Sequence, residues 1–530
     1  MRLNWIGVLI LAIAGFVLVH QLPEWKDVEF GDETTYLGSG LSFSIPFKGG
    51  AQWGPLYAAW YAFWHLFVPN ALDLYYFNWA LLSVLAGITV FLFFRALHTP
   101  FWVSVWLAVL FLFSAQNLPL NPKISIAPFC LILAVLAYFH FQKRSHFLRF
   151  LSVSFVGLLC AYFRPEFYIS FLLGLGFMLW WAWKEKIVRH RRFIMAAGIF
   201  AGLVLLLHIL LENPLFSGDG SRSAVAFQQH FVVNYCAWNH RPEPPTIEEQ
   251  LRLFHQVLGN DVQTLTDALK TQPAWVAKHI FTNLTHTLTA NLKNTVDTFY
   301  QTLFRGWYWP GRSALAALVA LLFLGMIDYR ATWRNFRQKP VGGWGLVALL
   351  TLIFPTLVAT VLIYPRTHYL VFHLILIFWL IAFVAERIAF RKPVSLSTIS
   401  FTPFSAVLLL IFLGIRFLEY RQPAPTPTAD NVRFVSRIQP KVRLRVLERD
   451  WYRVFLRQES DWIHVEEYTD GDFVQFVRQK NINFILMTQD MQRYFAKDAG
   501  FAVFLKRYQA EGFSKLTTNS AGDYLLIKQP

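Results

Sequence analysis

The sequence predicts an α-helical polytopic membrane protein of about eleven transmembrane helices, ending in a small α/β domain. Three observations carry that prediction. Only 15% of the 530 residues are charged and 55% are hydrophobic, against about 25% charged in soluble domains. Apolar runs of the roughly 17–25 residues that cross a bilayer recur as far as residue 418. Lysine and arginine collect in alternate loops between those runs. A water-soluble enzyme of this length is excluded.

The runs lie near 4–20, 77–96, 101–115, 125–141, 147–163, 167–183, 193–211, 313–328, 343–363, 368–385 and 402–418. The first resembles a signal peptide in length. No small-x-small cleavage site follows it, only His20-Gln21-Leu22-Pro23-Glu24-Trp25, so it reads as a retained helix. Cys130, Cys160 and Cys236 are too few for a disulfide framework, and the first two sit inside apolar runs.

Charge sets the expected orientation. One set of loops and run ends carries Arg2, Arg95, Lys143, Arg144, Arg149, Lys184, Lys186, Arg189, Arg191, Arg192, Arg330, Arg334, Arg337, Lys339, Arg387, Arg391 and Lys392. The short opposite loops hold Lys26, Lys48, Lys123, Arg164 and Arg366 alone. Cytoplasmic loops carry the positive excess, so the N-terminus is expected inside and the C-terminus, after eleven crossings, outside. The formal net charge of +16 is then a topology signal and gives no support to nucleic-acid binding.

Residues 1–420 read as the transmembrane domain, with outer loops at 21–76 and 212–312. Within the first loop, the aromatic stretch from Gly54 to Phe67 is too short to span, and its Trp and Tyr content suits an interfacial helix. The second loop is polar and mostly helical, with Ile247–Leu258 apolar at helical spacing. A proline-rich stretch at 421–429 reads as a semi-rigid linker to an extracytoplasmic α/β domain at 430–530. In that domain the segment from Asp472 to Lys480 predicts a helix, and Asn483–Thr488 and Tyr524–Lys528 predict strands. There is no repeat, no Gly-rich phosphate loop and no zinc-type Cys/His spacing, and the triplet Asn283-Leu284-Thr285 is a lone glycosylation sequon.

The first loop carries a carboxylate pair in Phe30-Gly31-Asp32-Glu33-Thr34-Thr35-Tyr36. A carboxylate beside a low-dielectric region has a raised proton affinity, which suits a general base. Taken alone, the pair reads as ordinary solvated loop acids. Asp-Glu-x-x-Tyr after a first transmembrane helix, followed by Trp53-Gly54-Pro55-Leu56-Tyr57, resembles the C-type glycosyltransferase (GT-C) superfamily. The likeness is to the branch with protein O-mannosyltransferases and the aminoarabinose transferase of lipid A. Gly54 stands where that branch has a first proline, and its preceding lysine is absent, Lys48 being the nearest. Phe227-Gln228-Gln229-His230 and His279-Ile280-Phe281-Thr282-Asn283 are similar to weaker patterns of such proteins.

The resemblance implies transfer of a sugar from a polyprenyl-phosphate carrier to an acceptor hydroxyl on a lipid, glycan or protein at the outer face, with inversion. It implies Asp32 as base and Glu33 as an orienting carboxylate, with Tyr36 and Tyr57 lining the substrate site. The departing phosphate needs positive charge or a divalent metal, Mg or Mn. Cations at that face are Arg164 in Phe163-Arg164-Pro165-Glu166, Lys123, and Arg366. Arg164 has pairing with Glu166 as its bland alternative, and Lys123 has snorkelling to headgroups. Arg366, Tyr369 or Leu370, and His373 share one face if a helix starts at Arg366. A packing histidine is as good a reading of His373.

Three rivals remain at this stage. A transporter or flippase calls for mid-span charges or inverted repeats, and the run centres are apolar. A lipid-linked glycan polymerase or ligase shares the many spans and the large loop. A GT-C-shaped scaffold without turnover is compatible with a single acidic motif. The expected setting is a bacterial inner membrane, with the site facing the periplasm or cell exterior.

Overall fold

The computed structural model describes residues 2–47, 50, 53–117, 123–141, 146–187, 191–214, 222–244, 246–304, 327–338, 344–389, 398–438, 443–450, 452–455, 460–469 and 471–528. Among these the chain is mostly helical. Six helices are long and apolar enough to cross a membrane, namely Asn4–Trp25, Ala71–Ala96, Pro165–Lys184, Phe193–Leu211, Gly345–Leu362 and Thr367–Ala385. They give the chain the character of a membrane protein. Three shorter apolar helices are Phe101–Leu112, Lys123–Tyr138 and His146–Ala161. The run at 402–418 falls within the helix Thr398–Glu419, and the run at 313–328 lies outside the described residues except for Ile327 and Asp328.

The second run begins earlier than its hydropathy indicates because Asn70 starts the helix. The Asn70 side-chain oxygen accepts the backbone N–H groups of Leu72 and Asp73 at 2.9 and 3.1 Å, as a capping residue does. The helices His146–Ala161 and Tyr168–Lys184 form a tight hairpin through small residues. A methyl group on Gly157 would stand 2.6 Å from the Phe171 nitrogen, and one on Gly174 would stand 2.9 Å from the Ser154 nitrogen. Ser154 adds a hydroxyl bond to the Phe171 carbonyl at 3.0 Å. Apolar helices gain little from hydrophobicity against each other in lipid, so backbone closeness and such bonds hold them.

The chain divides into two compact units. The first comprises Met1–Val17, Ser44–Tyr57 and Leu81–Gly414; the second comprises Leu18–Phe43, Ala58–Ala80 and Ile415–Pro530. In the first, the loop expected to be helical contains Arg222–Trp238, Ile247–Leu258, Leu265–Thr271 and Pro273–Val296. Phe227, Phe231, Phe254, Leu258 and Val276 give its opening helices a core of their own.

The second unit holds a five-stranded sheet of β1 (Leu444–Glu448), β2 (Ser460–His464), β3 (Phe484–Met487), β4 (Phe513–Thr517) and β5 (Tyr524–Lys528), in the order β2-β1-β3-β5-β4. β1 runs parallel to β2 and β3, while β5 is antiparallel to β3 and β4. All four residues of β3 are buried. The helix Phe473–Gln479 is capped by Asp472 and packs Phe473, Phe476 and Val477 with Ile485 and Phe504. Within the proline-rich stretch, Pro427–Ala429 are already helical. Pro427 opens a helix running to Val435, since a proline ring is preorganised for the first helical turn. Upstream, the Ala424 N–H donates to the Glu24 carbonyl at 3.0 Å.

The aromatic stretch of the first loop forms the helix Pro55–His65. Tyr57, Ala58 and Tyr61 are buried, whereas Phe63, Leu66 and Phe67 at its far end are exposed.

Candidate functional site

The carboxylate pair belongs to the second unit. Gly31 has φ +119°, a conformation natural to glycine, and this turns the chain into the helix Asp32–Leu41. Asp32 and Glu33 therefore occupy the first turn, where the helix N-terminus favours negative charge. Their environments differ sharply. Asp32 is partly exposed, whereas Glu33 is fully buried.

Glu33 is held by residues from two other helices. Tyr61 OH donates to Glu33 Oε1, and Asn78 Nδ2 donates to the same oxygen at 3.1 Å. Asn78 Nδ2 also donates to Tyr61 OH at 2.8 Å, and Trp60 Nε1 donates to Asn78 Oδ1 at 2.8 Å. The indole N–H thereby fixes which way round the amide lies. A buried carboxylate is costly unless bonded, and this relay supplies the donors. Tyr36 is also buried on the same short helix. Tyr61, Asn78 and Trp60 were not singled out in the sequence, where they read as ordinary aromatic and span residues.

The cations belong to the first unit, where three clusters line the two ends of the turn between Gly345–Leu362 and Thr367–Ala385 and the polar helices against it. Arg164 is buried, and each of its nitrogens is engaged. Nε donates to Glu166 Oε1 at 2.6 Å, Nη1 to Ser125 Oγ at 3.2 Å, and Nη2 to Tyr369 OH at 3.1 Å, with His368 Nε2 3.2 Å away. Arg164 thus pairs with Glu166 as its bland reading holds, but it also joins two helices. Ser125 and His368 carried no motif in the sequence.

Arg366 precedes the helix rather than beginning it, with extended backbone at φ −75°, ψ 146°. Its Nε donates to His230 Nε2 at 2.7 Å, and the imidazole stacks on Tyr364 with ring centres 4.6 Å apart. Because Nε2 accepts, the proton of neutral His230 sits on Nδ1. Burial first, then Arg366 and His279, pushes His230 down to about 3.

The weak patterns at 227–230 and 279–283 meet at the same turn. His279 Nε2 lies 3.1 Å from the Ile363 carbonyl, and Asn283 Nδ2 donates to Val361 and Ile363 carbonyls at 3.1 and 3.0 Å. Asn234 Nδ2 donates to Asn283 Oδ1 at 2.8 Å. Asn283, the asparagine of the sequon, is wholly buried.

Arg366, Tyr369 and His373 do not converge as a shared helix face would have them. Arg366 turns to His230, Tyr369 to Arg164, and His373 Nδ1 lies 3.0 Å from Asn291 Nδ2. Lys123 is fully buried and donates to the Asn117 carbonyl, so it does not snorkel. Tyr57 is buried with its ring 6.3 Å from that of Phe163. Among the described residues no three His, Cys, Asp or Glu side chains gather as a metal site. The chain matches no model of a known protein family, and no curated protein matches it.

Proposed function

We propose that the chain is a polytopic glycosyltransferase of the GT-C type, moving a sugar from a polyprenyl-phosphate carrier to an acceptor hydroxyl. One observation supports this most: the two adjacent carboxylates are divided between a buried Glu33, held through Oε1 by Tyr61 and Asn78, and a partly exposed Asp32. An enzyme needs one acid to be rigid and the next to be reachable. Asp32 takes the hydroxyl proton as the acceptor oxygen attacks the anomeric carbon. The carbon–oxygen bond to phosphate breaks, its electron pair leaves with the polyprenyl phosphate, and configuration inverts. Arg366 and Arg164 are the guanidinium groups proposed to meet that phosphate, since a planar fork matches two phosphate oxygens.

This reading places eleven crossings with the N-terminus inside, and puts the loop carrying Asp32 and the C-terminal domain on the outer face of a bacterial inner membrane. A second reading, a scaffold without turnover, is favoured by the complete engagement of the Arg164 nitrogens within the protein. Reconstituted protein given a panel of polyprenyl-phosphate pentoses and hexoses distinguishes them. Release of polyprenyl phosphate that is lost in Asp32→Asn supports transfer. No release from any donor by correctly inserted protein leaves the scaffold.

A further inference from the structure

The helix Pro273–Val296 is built inside out for a water-exposed loop. Its buried face is polar: His279, Asn283 and Thr287 are buried and Asn291 is partly so. Its exposed side carries an apolar stripe, flanked by exposed His286 and Lys293. Phe281 is 71% exposed, Leu288 64% and Leu292 68%, with Leu284 and Val296 completing a stripe at helical spacing. A soluble helix has the opposite arrangement.

The helix keeps step with two of the apolar helices over a long distance. Asn283 meets the carbonyls of Val361 and Ile363, Thr287 donates to Thr360 at 3.5 Å, and Asn291 meets His373. Just beyond the helix, the Phe299 ring lies 5.6 Å from that of Phe378. Phe378 is the twelfth residue of Thr367–Ala385, about 18 Å along it at 1.5 Å per residue. A chain that accompanies a membrane-crossing helix so far is itself at membrane depth.

Two further details agree. Exposed Thr285 and Thr289 turn their hydroxyls onto the carbonyls of Phe281 and Thr285, both at 3.0 Å, leaving no donor for water. Before the stripe begins, Lys278 lies over the rings of Trp238 and Trp275 at 4.4 and 5.3 Å, the residue types that mark a membrane–water boundary. Lys293 is exposed on the flank of the helix, off the stripe, and its long stem allows snorkelling.

We infer that residues 281–296 are inserted in the bilayer, with the stripe Phe281-Leu284-Leu288-Leu292-Val296 facing lipid acyl chains and the polar face gluing the segment to its neighbours. The spans packed beside it also expose apolar residues, Leu350 and Phe354 on one and Leu380 on the other, so the occupant is hydrocarbon. Within the membrane, side-chain bonds to helix-end carbonyls replace hydrophobic attraction as the cohesive term. The sequence placed this stretch in an aqueous loop because polar residues at every fourth position lowered its mean hydropathy.

The test is site-directed spin labelling of full-length protein in phosphatidylcholine–phosphatidylglycerol vesicles. Leu284→Cys, Leu288→Cys and Leu292→Cys are labelled; Lys270→Cys, on Leu265–Thr271, serves as the aqueous control and Leu205→Cys as the lipid control. The native cysteines are buried. The expected result is collision with oxygen exceeding collision with a water-soluble nickel chelate, as at Leu205, with the excess growing from 284 to 292. Nickel accessibility equal to that at Lys270 overturns the inference. So does an immobile label shielded from both reagents, which means that protein covers the stripe. Thr285→Cys and Thr289→Cys sample the same face if a leucine variant does not insert.

Discussion

The Asp27 carboxylate accepts the backbone N–H of Ala429 at 2.8 Å, across 402 residues of chain. Its other oxygen accepts the Thr428 N–H at 3.1 Å, so a residue just after the first apolar helix caps a helix that follows the last. Asp27→Ala leaves both N–H groups without this partner and is expected to destabilise the second unit by about 0.5–2 kcal/mol, the usual worth of a cap. Limited proteolysis near Pro427 should accelerate in parallel. Unchanged cleavage and melting would show the cap to be idle.

Asp32 and Glu33 should separate in mutagenesis. Asp32→Asn removes the basic lone pair while keeping shape, so transfer should fall by about 10²–10⁴ with no change in melting. Glu33→Ala strands the donors of Tyr61 and Asn78, and stability should drop by about 1–3 kcal/mol. Glu33→Gln keeps an acceptor oxygen and should be the milder change. Near-wild-type transfer in Asp32→Asn removes it from the base role.

Arg366 and His230 carry a pH dependence with a definite sign. His230 is held neutral, pushed down from 6.5 to about 3, so the unfolded chain takes up its proton first as pH falls. Stability from this group is complete above about 6.5 and is lost progressively towards 3. His230→Gln should flatten that part of the melting profile. Arg366→Lys keeps charge but loses the fork and should retain part of the transfer, while Arg366→Ala should retain very little. Early melting of Arg366→Ala with normal transfer per folded molecule would assign Arg366 to structure alone.

Glu448 acts in the opposite direction. It ends β1 with 1% exposure, and burial pushes it from 4.5 up to about 8 against the N–H of Arg453, 3.1 Å from one oxygen. The folded domain keeps this proton while the unfolded chain has released it, so stability falls as pH rises from about 4.5 through 8. Glu448→Gln should abolish that slope and leave the variant the more stable at pH 8. A slope that survives the substitution refutes the assignment.

Reporter fusions check the proposed orientation. Those after Arg144, Arg191 and Lys339 should read cytoplasmic, and one near Asp461 should read outside. A cytoplasmic Asp461 ends the glycosyltransferase reading in this form.

Much of the helical layout was legible because composition alone forces it. Runs such as 193–211 and 368–385 are apolar on every side, and each coincides with a helix. The strands at Phe484–Met487 and Tyr524–Lys528 were legible for the same reason. β1, β2 and β4 were not, since Arg445, Asp461 and Lys515 give them no continuous apolar run. At the candidate site, single charged residues were easy to find, but their partners were not. Glu33 with Asn78, Arg164 with His368, and Arg366 with His230 are brought together by packing, and no local spacing encodes them. The shared face drawn from Arg366 to His373 failed because Arg366 stands outside the helix.

The assembly of the second unit from segments at 18–43, 58–80 and 415–530 imposes an order on biosynthesis. Asp27 and Phe30 emerge early, yet their partners Ala429 and Tyr452 are made some four hundred residues later. At about 5–20 residues per second the loop bearing Asp32 waits on the order of a minute for the surface that completes it. Until then it is open to proteases and to chaperones. A ribosome stalled before Ala429 leaves a chain whose early apolar helices can insert but whose acidic loop lacks these partners.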